Sequence, residues 1–271
     1  DAGQLEDDIV RCVEKLSARH DITAVGLALA GFLDPDCEVV RFAPHLPWRD
    51  AAVRETLSKR IDVPVRLEHD ANSAAWGEWR FGAGRGAKEW VFFAVGTGIG
   101  ATLFTEGRIY RGAFGTAPEF GHLVVNPGGR LCSCGKRGCL ERYASGTALP
   151  DTFAELRGKY ETALPEKPSG EDITAAARQG DPLATAVMED FGQWLGQGLS
   201  MVADVLDPEL IIIGGGVSQD ADLFLDVARE RMAQQIVGAG HRPVARVATA
   251  ELGSAAGMIG VADLARQERR G

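Results

Sequence analysis

The sequence of 271 residues contains no stretch of eighteen consecutive apolar residues, and a membrane-crossing helix needs about 20. Positive charge is in deficit: 29 Lys and Arg face 38 Asp and Glu, a formal net charge of −9. That balance argues against a nucleic acid or an anionic membrane as the main partner. No secretory leader is visible at its first residue. Cysteine is scarce and odd in number, five in all. Three of them crowd into residues 132–139, too tightly for a disulfide framework, and reduced thiols in a cytoplasmic protein fit better. Internal repeats, coiled-coil heptads and a Walker A loop are missing too. What remains is 45% hydrophobic and 25% charged, an ordinary globular balance. Glycine stands out at 34 residues, and it gathers in loops.

Strands alternate with helices. Residues 22–30 (ITAVGLALA) are β-branched and apolar and stop at Gly31, which predicts a buried strand. Residues 50–60 read as helical and 63–67 as the next strand. A helix is expected over Asp70–Phe81, with Trp76 and small residues on one side. Residues 90–95 (WVFFAV) predict another buried strand. A tight turn follows over Gly96–Gly100, then a return strand at 101–105 and a hairpin turn at Glu106-Gly107. Residues 150–170 read as loop or short helix. Val187, Phe191, Leu195, Leu199, Val202 and Leu206 recur at helical spacing, predicting a long helix over 182–206 that ends at Asp207-Pro208. Gly192 and Gly196 would admit a close neighbour. Ile211–Ile213 reads as a strand running into Gly214-Gly215-Gly216, and 254–267 as a closing amphipathic helix. The alternation is that of an α/β fold.

Five stretches carry chemistry. The first, GHLVVNPGGRLCSCGKRGCLERYASG at 121–146, supplies three thiols, Cys132, Cys134 and Cys139. With His122 upstream this is the ligand set of a closed, structural zinc site, although a lone histidine is as often an ordinary side chain. The second, GTGIG at 96–100, follows a strand; its exposed N–H groups suit an anion, and a plain hairpin turn fits equally. The third, IIIGGG at 211–216, permits close approach of a flat or charged ligand, or merely a tight turn. In EHDAN, 68–72, Asp70 falls where a strand gives way to a helix, and position alone favours an N-cap. In PEFGH, 118–122, Glu119 lies close to His122; a solvated Glu is the plain alternative.

In order and wording these stretches (LALAGFLD, EHDAN, GTGIG, EFGH, CSCGKRGCLERYASG, IIIGGG) resemble the ROK family of repressors, open reading frames and sugar kinases, over essentially the whole chain. WGEWRFGAGRG and YASG look most like its bacterial ATP-dependent glucokinases of actinobacterial type. The resemblance implies the actin-like ATPase (ribonuclease H-like) two-lobe sugar kinase fold with a structural zinc loop. It divides the chain into a small lobe, residues 1–74 completed by the helix at 257–271, and a large lobe, 75–256, with the zinc loop and a dimer surface. It implies transfer of the γ-phosphate of ATP, with Mg²⁺, to the 6-hydroxyl of glucose. Asp70 matches the family's base. His122 matches a histidine that binds zinc through one ring nitrogen and faces the sugar with the other. Glu119 and Glu141 match acceptors of sugar hydroxyls, and Gly31 a glycine whose backbone lies against the sugar. Gly96, Thr97, Gly98 and Gly100 match a phosphate loop, and Gly214, Gly215 and Gly216 the adenosine region. A cytoplasmic homodimer or dimer of dimers is implied as well.

Three departures matter. His69 stands where the family has a sugar-binding Asn, which opens the hexose preference to mannose or N-acetylmannosamine. Ala101 stands where the phosphate loop continues with glycine. The family's first phosphate motif, a D-x-G-G-T-K-like hairpin, has no counterpart; the expectation is of a chain lacking its first three strands, with the strand at 24–30 short of a neighbour and the 271 residues inactive alone. Polyphosphate as donor, and a sugar-responsive repressor with a DNA-binding segment not in this chain, are the other readings. Asp70 favours a kinase, since a sensor has no need to deprotonate its sugar.

Overall fold

The structure, a computed structural model, describes residues 1–268. The chain forms two compact units, one from residues 1–87, 102–118 and 251 onward, the other from 88–101 and 119–250. No helix among the described residues is long and apolar enough to cross a membrane.

The first unit opens with α1 (Ala2–Ser17), where the Asp1 side chain accepts the Gln4 N–H at 2.9 Å as an N-cap. Then β1 (Val25–Leu29) runs parallel to β5 (Val65–His69), in register from Val25↔Val65 to Leu29↔His69. Among the described residues β1 pairs with β5 alone. A parallel pair needs a long crossover. Here it holds a small antiparallel sheet, β2 (Phe32–Leu33), β3 (Val40–Phe42) and β4 (Arg49–Ala51), and the short α2 (Val53–Ser58). The helix expected over 50–60 is therefore shorter, because its first residues pair as β4 with β3. Leu33, Val40, Trp48, Leu57 and Leu67 form the core, with Val10 of α1 against them.

The helix α3 (Asp70–Phe81) packs on the last helix, α8 (Ala256–Glu268). This packing keeps all of α3 in the first unit, which thus extends beyond residue 74. The two backbones nearly touch. A Cβ on Gly260 would collide with the Ser73 carbonyl, and one on Gly77 with the Ala256 carbonyl. Asp263 of α8, almost fully buried, accepts hydrogen bonds from Trp76 Nε1 at 3.0 Å and Arg80 Nε at 3.1 Å. Burial pushes its carboxyl up, but the hydrogen bonds from Trp76, Arg266, Arg80 and Gln267 outweigh burial and hold it below the usual range. At the far end of α3, buried Glu78 accepts the N–H groups of Leu252 at 2.7 Å, Ala83 at 2.9 Å and Glu251 at 3.1 Å.

In the second unit, β10 (Arg246–Thr249), β9 (Leu210–Gly214) and β6 (Trp90–Val95) are parallel neighbours in that order. Every residue of β9 and nearly all of β6 is buried, which is why both read as continuous apolar runs. Next in the order, β7 (Ile99–Thr105) begins in the second unit and ends in the first, where it turns back into β8 (Arg108–Tyr110). The turn residues Glu106 and Gly107 have φ of 51° and 71°, as a two-residue hairpin of this hand requires. Beyond the cysteine loop come α4 (Ala148–Leu156), α5 (Gly170–Arg178), α6 (Pro182–Leu206) and α7 (Leu225–Gln235). Asp181 caps α6 and Pro182 opens it, while Asp207 ends it in the left-handed region at φ 47°. The neighbour that Gly192 and Gly196 admit is α7: a Cβ on Gly192 would lie 2.8 Å from the Phe224 carbonyl oxygen.

Two outcomes follow from the α3–α8 contact. Gly260→Ala should lower stability by about 1–3 kcal/mol or more, the usual range for overpacking, read as a shift in urea midpoint. Asp263→Asn should act through acid. A carboxyl depressed in the folded state stabilises above its unfolded pKa of about 3.9 and loses that contribution as pH falls through the folded value. The stability gap between wild type and Asp263→Asn should therefore shrink between pH 5 and pH 3; a gap independent of pH would contradict the ionic role.

Candidate functional site

The cysteine loop lies wholly in the second unit. Its turns are built by the backbone: Cys132 N–H donates to the Lys136 carbonyl at 2.8 Å, and Gly135 N–H to the Cys132 carbonyl at 3.0 Å. Gly138, at φ 83° and pressed on the Asn126 carbonyl, is a position only glycine fills. These turns bring one ligand atom each from His122, Cys132, Cys134 and Cys139 to within 4.8 Å of one another. Cys134 Sγ and Cys139 Sγ are 3.6 Å apart, and His122 Nδ1 is 3.5 Å from Cys132 Sγ. In a tetrahedral cage with the metal–ligand lengths of zinc, the S···S edge is about 3.8 Å and the N···S edge about 3.6 Å. Burial and the neighbouring thiols push Cys139 up to about 12, so a thiolate there calls for a cation beside it. The four residues fit a metal of zinc's kind.

Both ring nitrogens of His122 also have a carboxylate nearby, Nε2 on the side away from the cysteines and Nδ1 on the side of Cys132. Its Nε2 is 3.8 Å from Glu119 Oε2, and its Nδ1 is 3.8 Å from Glu141 Oε1. Glu141 has two neighbours to satisfy. One oxygen lies 3.2 Å from Cys132 Sγ, and the other accepts from the Ile99 N–H at 3.4 Å. That second oxygen occupies the space a Cβ on Gly98 would need, at 2.7 Å.

From Glu141 the chain runs on as a strap to the glycine loop. Ser145 Oγ, fully buried, donates to the Glu141 carbonyl at 2.6 Å; Gly146 N–H donates to the Gly96 carbonyl at 2.8 Å; Thr147 Oγ1 donates to the Thr97 carbonyl at 2.7 Å. Gly96, Thr97, Gly146 and Thr147 border a cavity of about 970 Å³, lined also by the N-terminal turn of α5 (Ser169, Gly170, Glu171) and by Gly216, Val217 and Asp220 after β9. Ser169 and Asp172 close that helix start with a reciprocal capping box.

In the first unit, β5 delivers His69 to the N-cap of α3 and Asp70 to its first helical position. Asp70 is therefore not the cap that position alone favours. Its Oδ1 accepts the Ala71 N–H at 2.7 Å and lies 3.4 Å from His69 Nδ1. Its side chain is 54% exposed, and Oδ2 has no hydrogen-bond partner among the described residues. Just before it, Glu68 has no exposed surface. Glu68 Oε2 takes Arg66 at 3.1 Å and also Arg111; Oε1 takes Asn72 Nδ2 at 3.1 Å and the His69 N–H at 3.2 Å. Burial pushes the Glu68 carboxyl up, and Arg111 and Arg66 more than reverse it, so it stays ionised. Cys37, 3.8 Å away, is driven the other way, to about 11, by burial and by that carboxylate.

Of the residues singled out in the sequence, the structure thus groups Glu119, His122 and Glu141 around the cysteine cluster, and His69 with Asp70. Gly31 follows β1 beside them in register, with Phe42 and Ala43 filling the place of its side chain. Gly96, Thr97 and Gly216 line the cavity. Gly98 packs on Glu141, Gly100 is already part of β7 instead of the turn, Gly214 packs on Phe92, and Gly215 turns the chain at φ 82° over Val95. The sequence reading missed Thr147, Ser169, Glu171 and Thr174 as cavity residues. The S-x-x-D pattern at 169–172 marks the helix start; nothing local marks its cavity.

A family model described as the ROK family matches residues 2–268. A glucokinase from Streptomyces coelicolor is 41% identical over 96% of this chain and 86% of its own length. A xylose repressor from Bacillus subtilis is 30% identical over 80% of this chain but 54% of its own length. The crystal structure of a ROK family glucokinase from Streptomyces griseus in complex with glucose and AMPPNP superposes with a TM-score of 0.84 at 40% identity, covering 98% of this chain and 88% of that one. With the cysteine–histidine cluster, the glycine loops and the two α/β units already in view, these matches settle the kinship: the chain belongs to the ROK family and has its actin-like ATPase fold.

Proposed function

We propose that this protein is an ATP-dependent glucokinase, transferring the γ-phosphoryl group of ATP to the 6-hydroxyl of glucose. The observation that carries the reading is Asp70: a half-exposed carboxylate at the start of α3, with one oxygen anchored on the backbone and the other unengaged. That is the equipment of a general base for a hydroxyl. Phosphoryl transfer otherwise asks mainly for positioning and charge stabilisation. The sugar's neighbouring hydroxyls fall to Glu119, His122 and Glu141, since a carboxylate suits a vicinal diol. ATP with Mg²⁺ falls to the cavity bordered by Gly96, Thr97, Thr147 and the α5 N-terminus, whose N–H groups favour phosphate. His69 stands beside Asp70 as the residue that tunes hexose preference. A sugar-sensing repressor of the same family would have no use for the unengaged oxygen of Asp70. A cytoplasmic homodimer is part of the same reading.

Zinc belongs to His122, Cys132, Cys134 and Cys139. When bound it supplies no reaction chemistry, because four protein ligands close the cage. Its effect is to fix the imidazole's ring orientation, leaving Nε2 on the Glu119 side for a sugar hydroxyl.

In the complete enzyme, Asp70→Asn should lower kcat at least roughly a hundredfold, the common size of a general-base contribution, while glucose still binds by calorimetry. Wild-type turnover in this variant would remove the base assignment. Elemental analysis of freshly purified protein should find about one zinc per chain, and Cys139→Ser should lose it together with several degrees of Tm. Zinc-free protein with an unchanged melting curve on addition of zinc would dispose of the cage.

A further inference from the structure

The buried carboxylate of Glu68 is not explained by stability. A carboxylate without exposed surface is costly to bury, and replacement of such ion clusters by apolar groups is often neutral or stabilising. Two guanidiniums converge on it, from Arg66 on the same strand and from Arg111 beyond β8. The opposite oxygen is turned toward the first turn of α3.

The start of α3 has no conventional cap. His69 occupies the N-cap without a side-chain hydrogen bond to the helix. In its place Glu68 Oε1 accepts the His69 N–H and Asn72 Nδ2 together, one residue before and two after Asp70. Asn72 Oδ1 accepts in turn from Thr102 Oγ1 at 3.0 Å, and Ser73 Oγ donates to the His69 carbonyl at 2.9 Å. The backbone just before Asp70 and the Asn72 side chain just after it are thus fastened to one buried carboxylate. We propose that Glu68 is a positioning residue: clamped by Arg66 and Arg111, it fixes the first turn of α3 and so the aim of the Asp70 carboxylate. This rests on Asp70 being the base. Misaiming a reacting group by about 1 Å costs on the order of a hundredfold in rate, with little effect on ground-state binding.

The test compares Glu68→Gln and Asn72→Ala with Asp70→Asn and with Leu57→Ala. The last is a buried core truncation in α2, a side chain without a hydrogen bond to Glu68, Asp70 or Asn72, and serves as the control for loss of stability. All are made in the complete enzyme and assayed well below their melting temperatures, with rates per folded molecule. Glu68→Gln should lower kcat by about tenfold or more while the KM for glucose moves less than about twofold, the signature of an interaction felt in the transition state. Asn72→Ala should lower kcat in the same direction by a smaller factor. Leu57→Ala should lower Tm and leave kcat alone. If Glu68→Gln does not fold, Asn72→Ala carries the test by itself. A folded Glu68→Gln or Asn72→Ala with wild-type kcat overturns the proposal, as does a kcat loss matched by Leu57→Ala at equal loss of Tm. If Asp70→Asn is inactive while those two variants are not, only the positioning role falls. If Asp70→Asn keeps wild-type kcat, the base reading falls and the Glu68 proposal with it.

Discussion

Helix α3 is allowed almost no freedom, and the first unit is organised around that restriction. Its glycine and serine backbone meets α8 at contact distance through Gly77, Ser73 and Gly260. Such an approach tolerates no side chain, so the helix cannot slide or roll without a collision. Charge fixes what shape leaves open. Glu68 holds the N-terminal turn, Asp263 takes the indole and guanidinium of Trp76 and Arg80 at mid-helix, and Glu78 gathers backbone N–H groups at the C-terminal end. Three carboxylates, all nearly or wholly buried, are each satisfied by several donors, the condition under which buried charge is tolerated.

The second unit solves a different problem. It has to hold flexible, glycine-rich chain in a defined shape. It does so by chaining short polar contacts from the cysteine cluster outward: Cys132 to Glu141, Glu141 to Ile99, Ser145 to Glu141, Thr147 to Thr97. Glu141, which stands beside His122 and Cys132, is thus tied to the glycine loop and the strap by hydrogen bonds instead of through a packed core. The roles of Glu141 are the most entangled, since one carboxylate faces the histidine, a thiol and the glycine loop.

Legibility in the sequence followed the range of the interactions. The long helix α6, the buried strands β6 and β9 and the hairpin at Glu106-Gly107 are written in local periodicity and turn chemistry, and they stand within a residue or two of where those signals put them. The cysteine cluster is equally local: its four side chains lie between residues 122 and 139. The strands β2, β3 and β4 have two or three residues each, too few for a period to show. Glu68 and Arg111 are 43 positions apart, and no spacing rule joins them. The cavity collects residues 96–97, 146–149, 169–174 and 216–220, whose only common property is their place in three dimensions. Asp70 shows the middle case, in which position announced a helix start but only the coordinates told cap from first helical residue.

The division of the chain has a consequence in time. The second unit is drawn from residues 88–101 and 119–250, whereas the first needs α8, beyond residue 250. Synthesis runs from the N-terminus, and domains generally fold as units as they emerge. The strands β1 and β5 and the inner face of α3 are made before the second unit, yet the helix that covers them is made after it. Until then, Trp76 and Arg80 have no Asp263, and the glycine faces of Gly26 and Gly77 have nothing to meet. The part of the molecule made ahead of the second unit is thus able to close only after that unit has been made, and its apolar surface waits in the nascent chain for the whole interval.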